Sequence, residues 1–310
     1  MALSGTVSNA LPAGNPQLLP VRNAYDEARA AAIESFLRNN RIEPLWRSLT
    51  QATDDLITQA AVENAITVVA VGGYGRAELS PHSDIDILVL ISAEHGAAAE
   101  QASTQLLQRL WDLGLAVSHA TRTIQETIEA ASNDASVATA LLDARLVTGN
   151  NVVFRALAKR LKKEVFGTHA THYVATKLSD RDARHTKWGD SRFMLEPHIK
   201  EGKGALRDLQ TLRWINDFAR SKRPLLSAAE WRTYRTSLLF LAAVRAHMHI
   251  ARGRADERLT FDLQMEIAAR MKFPGKTQQH KAEKLMRRYF QCTRAAGALT
   301  RSLCAALEEE

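Results

Sequence analysis

The hydrophobic pattern changes character twice along the chain. From Tyr25 to Ala65, Ala, Leu, Glu and Arg recur at helical spacing around Pro44, which predicts two helices. The run Ile66-Thr67-Val68-Val69-Ala70-Val71 is short, β-branched and ends at Gly72-Gly73, as a buried strand entering a turn does. A second strand is predicted from Asp84 to Ile91, after the turn-rich Ser80-Pro81-His82-Ser83, so the pair reads as a hairpin with a long loop. Leu106, Leu107, Leu110 and Trp111 predict a helix over 98–113, stopped by Gly114. Leu115 to Ala120 reads as a third strand and Thr123 to Ala131 as a helix, while Val137 to Val147 fits either state. Beyond Asn150 the pattern is helical. An apolar face from Leu206 to Phe218 lies in a segment reaching Arg220, Ser227 and Glu230 have capping-box spacing before a helix to about Arg252, and Phe273-Pro274-Gly275 separates a last pair.

Composition narrows the class. At 310 residues, with 45% hydrophobic and 24% charged positions, the chain is long enough for two units and too apolar for global disorder. Its apolar runs fall well short of the roughly 18 residues that span a bilayer, so no membrane segment is expected. The first 24 residues, with Pro12, Gly14, Pro16 and Pro20 and no Lys or Arg before Arg22, read as a mobile leader rather than a secretory signal. Cys292 and Cys304 form neither a disulfide framework nor a zinc set, so a cytoplasmic location is expected. The net charge of +7 is unevenly placed: residues 1–150 hold nine Arg, no Lys and 17 acids, net −8, and the remainder is net +15. Such a division suits a polyanion held by the second half beside carboxylates of the first, although solvated helices produce basic surfaces too.

The candidate chemistry lies between the first two strands. Side chains two apart on a strand share a face, so Asp84 and Asp86 project together, away from Ile85 and Ile87. Two carboxylates forced together on an apolar strand call for a cation, and hard oxygen ligands suit Mg²⁺ completed by water and phosphate oxygens. Gly72 and Gly73 leave the preceding strand end bare, so a triphosphate can approach backbone N–H groups, with Ser83 adding a hydroxyl. Arg76 reads equally as a phosphate contact or as a partner of Glu78 or another acid. Lys200, Lys203 and Arg207 surround a glycine-rich helix start and can grip an anion. His169, His172 and His185 lack tight metal-ligand spacing and read as solvated or capping, His247 and His249 point to different helix faces, and Trp188, Trp214 and Trp231 read as core or interface anchors.

Paired glycines, ten intervening residues and Asp-x-Asp opening a hydrophobic strand resemble the nucleotidyltransferase superfamily with the DNA polymerase β-like catalytic fold. More narrowly, Gly72-Gly73-Tyr74-Gly75-Arg76 with Pro81-His82-Ser83-Asp84-Ile85-Asp86 resembles the PII signal-protein uridylyltransferases. Leu195-Glu196-Pro197-His198-Ile199-Lys200-Glu201-Gly202-Lys203-Gly204-Ala205-Leu206-Arg207-Asp208-Leu209-Gln210 and the stretch from Trp111 to Thr123 extend the likeness over roughly residues 25 to 305. Lys203 and Ala205 depart from the family's usual Pro and Gly. The resemblance implies an α+β fold: a polymerase β-like domain over 25–150, with a small mixed sheet and flanking helices, followed by an all-α domain over 151–310.

It also implies transfer of UMP from UTP to a tyrosine of the PII nitrogen-regulatory protein, with two Mg²⁺ ions at Asp84 and Asp86. The superfamily's third carboxylate sits on a later strand. Here Leu115 to Ala120 offers Ala116 and Ser118 instead, and Asp143 is the candidate. Because no His is followed by Asp anywhere, the family's histidine-aspartate hydrolase domain and its ACT repeats are expected to be absent, as in a transferase fragment. The alternatives are adenylyl or other nucleotidyl transfer to a protein or small molecule, and a catalytically silent nucleotide-binding module. No recognition motif accompanies the basic charge, so no nucleic-acid partner is expected.

Overall fold

The computed structural model describes residues 18–61, 66–91, 96–168, 170–219 and 225–308. Residues 1–17 of the expected leader, His169 and Arg220, the expected end of its helical segment, lie outside them. Two antiparallel helices open the described chain, α1 (Leu19–Asn39) and α2 (Ile42–Ala60). Helix α1 begins earlier than its apolar pattern shows, because Pro20 stands in the first turn, where a missing N–H costs nothing. Asn40 ends it in the left-handed conformation, and Pro44 falls in the first turn of α2.

Strand β1 (Ile66–Ala70) leads through a four-residue helical turn, α3 (Gly72–Gly75), to β2 (Ile85–Ile91), which pairs with it antiparallel as the hairpin reading requires. Helix α4 (Gly96–Asp112) returns the chain to β3 (Val117–Arg122), parallel to β2 and two residues later than its pattern suggested. Helices α5 (Ile124–Asn133) and α6 (Ala135–Leu142) precede β4 (Arg145–Thr148) on the far side of β1. The ambiguous stretch 137–147 is thus both: helix to Leu142, strand from Arg145. The sheet order is β3-β2-β1-β4. The rest is helical: α7 (Asn151–Arg160), running into a π turn at Leu161–Val165, α8 (Ala170–Lys187), α9 (Leu206–Ala219), α10 (Ala228–Arg252), α11 (Phe261–Arg270) and α12 (Gln278–Glu308). The Ser227–Glu230 capping box forms, and α10 closes on left-handed Gly253. No described helix is long and apolar enough to cross a membrane.

Both sheet faces are covered, which is why all five residues of β1 are buried. One apolar cluster runs from Tyr25 and Phe36 through Val68, Ile87 and Leu106 into Leu209, Leu241, Leu285 and Leu303. A second, on the opposite face, joins Val69 and Leu88 to Ile128, Leu157, Tyr173 and Phe218. The acidic and basic halves therefore share one core.

A buried histidine helps to seal them. His247 is fully buried on α10, its ring 4.5 Å from that of Phe36 and its Nε2 2.7 Å from the Asn40 side chain. Burial, then Arg270, pushes its pKa down to about 4. Between this value and the ordinary ~6.5 the unfolded chain binds the proton and the folded one does not, so stability is full above pH 6.5 and falls with acidification. Urea unfolding should show a loss of up to about 3 kcal/mol between pH 6.5 and 4. His247→Asn should flatten that slope; an unchanged slope would remove His247 as its source.

Candidate active site

The glycine turn is shaped by what lies behind it. Gly72 has φ +57°, and a Cβ there would stand 3.1 Å from the Asp86 carboxylate. At Gly75 a Cβ would land on the Asp143 carbonyl and 2.9 Å from that of Ala70. Tyr74, fully buried, fixes the turn from the rear through its hydroxyl, which donates to Asp54 at 2.5 Å. Asp54 is also gripped by both terminal nitrogens of Arg145, at 2.7 and 3.0 Å. The side chain that interrupts the glycines is therefore an anchor, and it leaves the front of the turn bare. Among the described residues no backbone carbonyl takes the N–H of Gly72 or Gly73.

In front lies a cavity of about 620 Å³ between the sheet domain and the helices. Gly72, Gly73, Ser83, Asp84, Asp86 and Asp143 line it from the first half of the chain, and Lys177, Arg184, Lys200, Arg207 and Arg245 line it from the second. Ile85 and Ile87 point into the core, so the shared face of Asp84 and Asp86 is the cavity face. Burial first, and then the Asp84 charge, raises the Asp86 pKa, while Lys200 opposes the rise. Ser118 lies opposite Asp86 in the sheet register and hydrogen-bonds to it, in the strand where an acid was sought.

Several expected side chains are held differently from the reading of the sequence. Arg76 lines the cavity and forms the ion pair of its second reading, with Glu78 at 2.8 Å and with Asp143 at 2.6 Å, its side chain only 5% exposed. Asp143 lines the cavity, but its carboxylate is already engaged, accepting from Arg76 and from the Trp214 indole at 3.1 Å. The Ser83 hydroxyl donates to the Ser80 carbonyl and accepts from the Ser80 N–H, each at 3.0 Å, so it shapes the loop. Lys203 does not line the cavity and pairs with Asp190 at 2.5 Å. His185, read as solvated or capping, is buried 2.8 Å from Asp208, which also holds Arg184 and the Gly204 N–H. Trp214 is an anchor as expected, whereas Trp188 is 38% exposed.

The cationic wall from the second half is where sequence reasoning saw least. Lys177, Arg184 and Arg245 have no local motif; only the +15 balance pointed to them. Of the six Lys and Arg side chains lining the cavity, five pair with carboxylates, and Lys200 has no carboxylate partner among the described residues. Burial, then Arg245 and Arg207, lowers its pKa. An anion in the cavity relieves that crowding.

Comparison with known proteins agrees with this geometry. The nucleotidyltransferase domain family matches residues 56–139, which contain the glycine turn and both aspartates. The GlnD PII-uridylyltransferase family matches residues 172–304, the helices of the cationic wall. The second half of the chain thus resembles the PII uridylyltransferases. A bifunctional uridylyltransferase/uridylyl-removing enzyme of Bradyrhizobium diazoefficiens is 42% identical over 253 residues, covering 79% of this chain and 27% of the relative. The chain thus spans about a quarter of that relative's length. Motif, fold and the match over 56–139 agree on a nucleotidyltransferase domain; the chemistry of this chain has to be argued from its own cavity.

Proposed function

We propose that the chain is a Mg²⁺-dependent nucleotidyltransferase that moves UMP from UTP to a tyrosine hydroxyl of a PII signal protein, releasing pyrophosphate. The observation that carries this reading is that the paired carboxylates Asp84 and Asp86, the bare glycine turn and a group of cations from the helical half line one and the same cavity. The donor set suits a hard cation: Asp86 is disfavoured as an anion by burial and by Asp84, which a divalent charge reverses. Among the described residues no three His, Cys, Asp or Glu side chains converge on a metal, so water and phosphate oxygens would complete the shell around Asp84 and Asp86. When bound, Mg²⁺ supplies charge neutralisation to the phosphate oxygens in the transition state.

The protein's own groups do the rest. The Gly72 and Gly73 N–H groups and Lys200 hold the triphosphate, with Arg207 and Arg245 adding field, so that the α-phosphorus faces the acceptor. The tyrosine oxygen bonds to that phosphorus, the bond to the bridging oxygen breaks in line, and the hydroxyl proton is lost to solvent or phosphate. Arg76, Glu78 and Asp143 fix the shape of the turn rather than touching the nucleotide.

The test is incorporation of labelled UMP into purified PII protein with each of the four nucleoside triphosphates, with and without Mg²⁺. Metal-dependent transfer from UTP supports the proposal; preferential transfer from ATP, or nucleotide binding without transfer, overturns it. Lys200→Met should raise KM for UTP by about 10- to 100-fold, since a charged hydrogen bond to phosphate is worth roughly 1.5–3 kcal/mol. An unchanged KM would remove Lys200 from the nucleotide site.

A further inference from the structure

The loop that delivers Asp84 is tied down from outside the sheet domain. The Arg29 guanidinium of α1 donates to the Pro81 carbonyl, and Ser83 closes the loop on Ser80. A third tie comes from α10: the His82 backbone N–H donates to Nδ1 of His249 at 3.3 Å. An Nδ1 that accepts cannot carry the proton, so His249 is protonated on Nε2, which lies 3.3 Å from Glu257 Oε1 and donates to it. Both ring nitrogens are engaged, and the side chain is fully buried.

Glu257 is itself held. Arg245 grips its carboxylate from Nε at 2.8 and 3.0 Å and from Nη2 at 2.6 Å. Its backbone carbonyl accepts from Ile199 N–H at 2.8 Å, immediately before Lys200. One residue thus fixes one cavity cation, the backbone beside a second, and, through His249, the loop that ends at Asp84. Core packing alone asks for an apolar side chain at a fully buried helical site; a histidine using both nitrogens makes directed contacts that packing does not supply.

We propose that His249 is a positioning residue, which with Glu257 as its backstop sets the placement of the Asp84 loop against the cationic wall. The inference rests on the reading of Asp84 as a phosphate- and metal-facing carboxylate, but its geometric part stands separately. Helix α10, remote in sequence from the aspartates, becomes a structural part of the site. Loss of the His82 tie lets the loop drift, and turnover falls because the reacting groups are misplaced while nucleotide contacts with the cationic wall persist.

Two conservative substitutions separate positioning from filling space. The amide oxygen of His249→Asn stands near the place of Nδ1 and can still accept from His82, whereas the amide nitrogen of His249→Gln stands near Nε2 and keeps only the bond to Glu257. Amide hydrogen exchange at His82, measured on the full chain without nucleotide, should speed up about tenfold in the Gln variant and stay close to wild type in the Asn variant. In the UMP-transfer assay, kcat should fall about tenfold in the Gln variant with KM for UTP little changed, and the Asn variant should retain most turnover. Equal exchange rates in the two variants, or an effect on KM alone, would overturn the proposal. If wild-type protein transfers no nucleotide, the functional reading fails, and the exchange measurement still decides whether the tie exists.

Discussion

Asp86→Asn is expected to lower UMP transfer by about 10³-fold or more while leaving the fold at least as stable as wild type. The first half follows from electrostatics: a metal-bound carboxylate supports several kcal/mol of charge stabilisation in the transition state, and ~4 kcal/mol is about a thousandfold in rate. The second half follows from the sign of its shift. The Asp86 pKa is raised, first by burial and then by Asp84, so the ionised side chain is a liability to the folded state that grows as pH rises through the carboxylate range. Asparagine removes the charge at nearly constant volume and lifts that liability. Transfer assays and urea unfolding at neutral pH, run on the same preparation, give both readings. An Asn variant that is clearly destabilised would show that the carboxylate serves the fold; one that keeps full turnover would remove Asp86 from the chemistry.

Arg76→Met should behave in the opposite way, costing about 3–5 kcal/mol of stability because it strips the partner from buried carboxylates. Asp143 has a side chain only 2% exposed and would retain the Trp214 indole and the distant Arg213, at 4.0 Å, while Glu78 would keep Arg213 at 3.5 Å. Neither replaces the close pairs at 2.6 and 2.8 Å. The double variant Arg76→Met with Asp143→Asn should recover a substantial part of the loss, since a neutral amide carries far less desolvation cost than an unpaired carboxylate. Additive losses in that cycle would mean that the pair contributes nothing as a pair. Activity would fall in these variants as the Gly72–Gly75 turn relaxes, so the urea midpoint is the decisive measurement.

These two residues also mark how far the sequence could be read. Asp86 was legible because its meaning is local: the two-residue strand period puts it beside Asp84, and a bare turn precedes it by a fixed spacing. The hairpin, the capping box at Ser227 and the break near Pro274 were legible for the same reason. Arg76 was legible only in part: Glu78, two residues away, was one of its readings, but its other partner Asp143 is 67 residues away and nothing in either neighbourhood names the other. Lys200 and Lys203 sit in one glycine-rich turn and look alike in sequence, yet the first lines the cavity and the second turns outward to Asp190. Lys177, Arg184 and Arg245 come from two helices whose placement is a matter of tertiary packing, and the charge imbalance between the halves was their only trace. Pattern reading thus named Asp84, Asp86, Asp143, Lys200 and Arg207, all of which line the cavity, and did not name the lining residues Lys177, Arg184, Arg245 and Glu257.

The continuous apolar cluster from Tyr25 to Leu303 bears on how such a cleft turns over. Rigid bodies rock against each other only where a seam of sparse, polar contacts separates them, and α2 and α10 meet instead inside shared hydrophobic mass. Opening the walls like a clamshell would expose that mass to water. On the proposed reaction, nucleotide would have to enter and pyrophosphate leave without the two halves parting, past a loop before Asp84 and a Glu257 that are themselves tied in place.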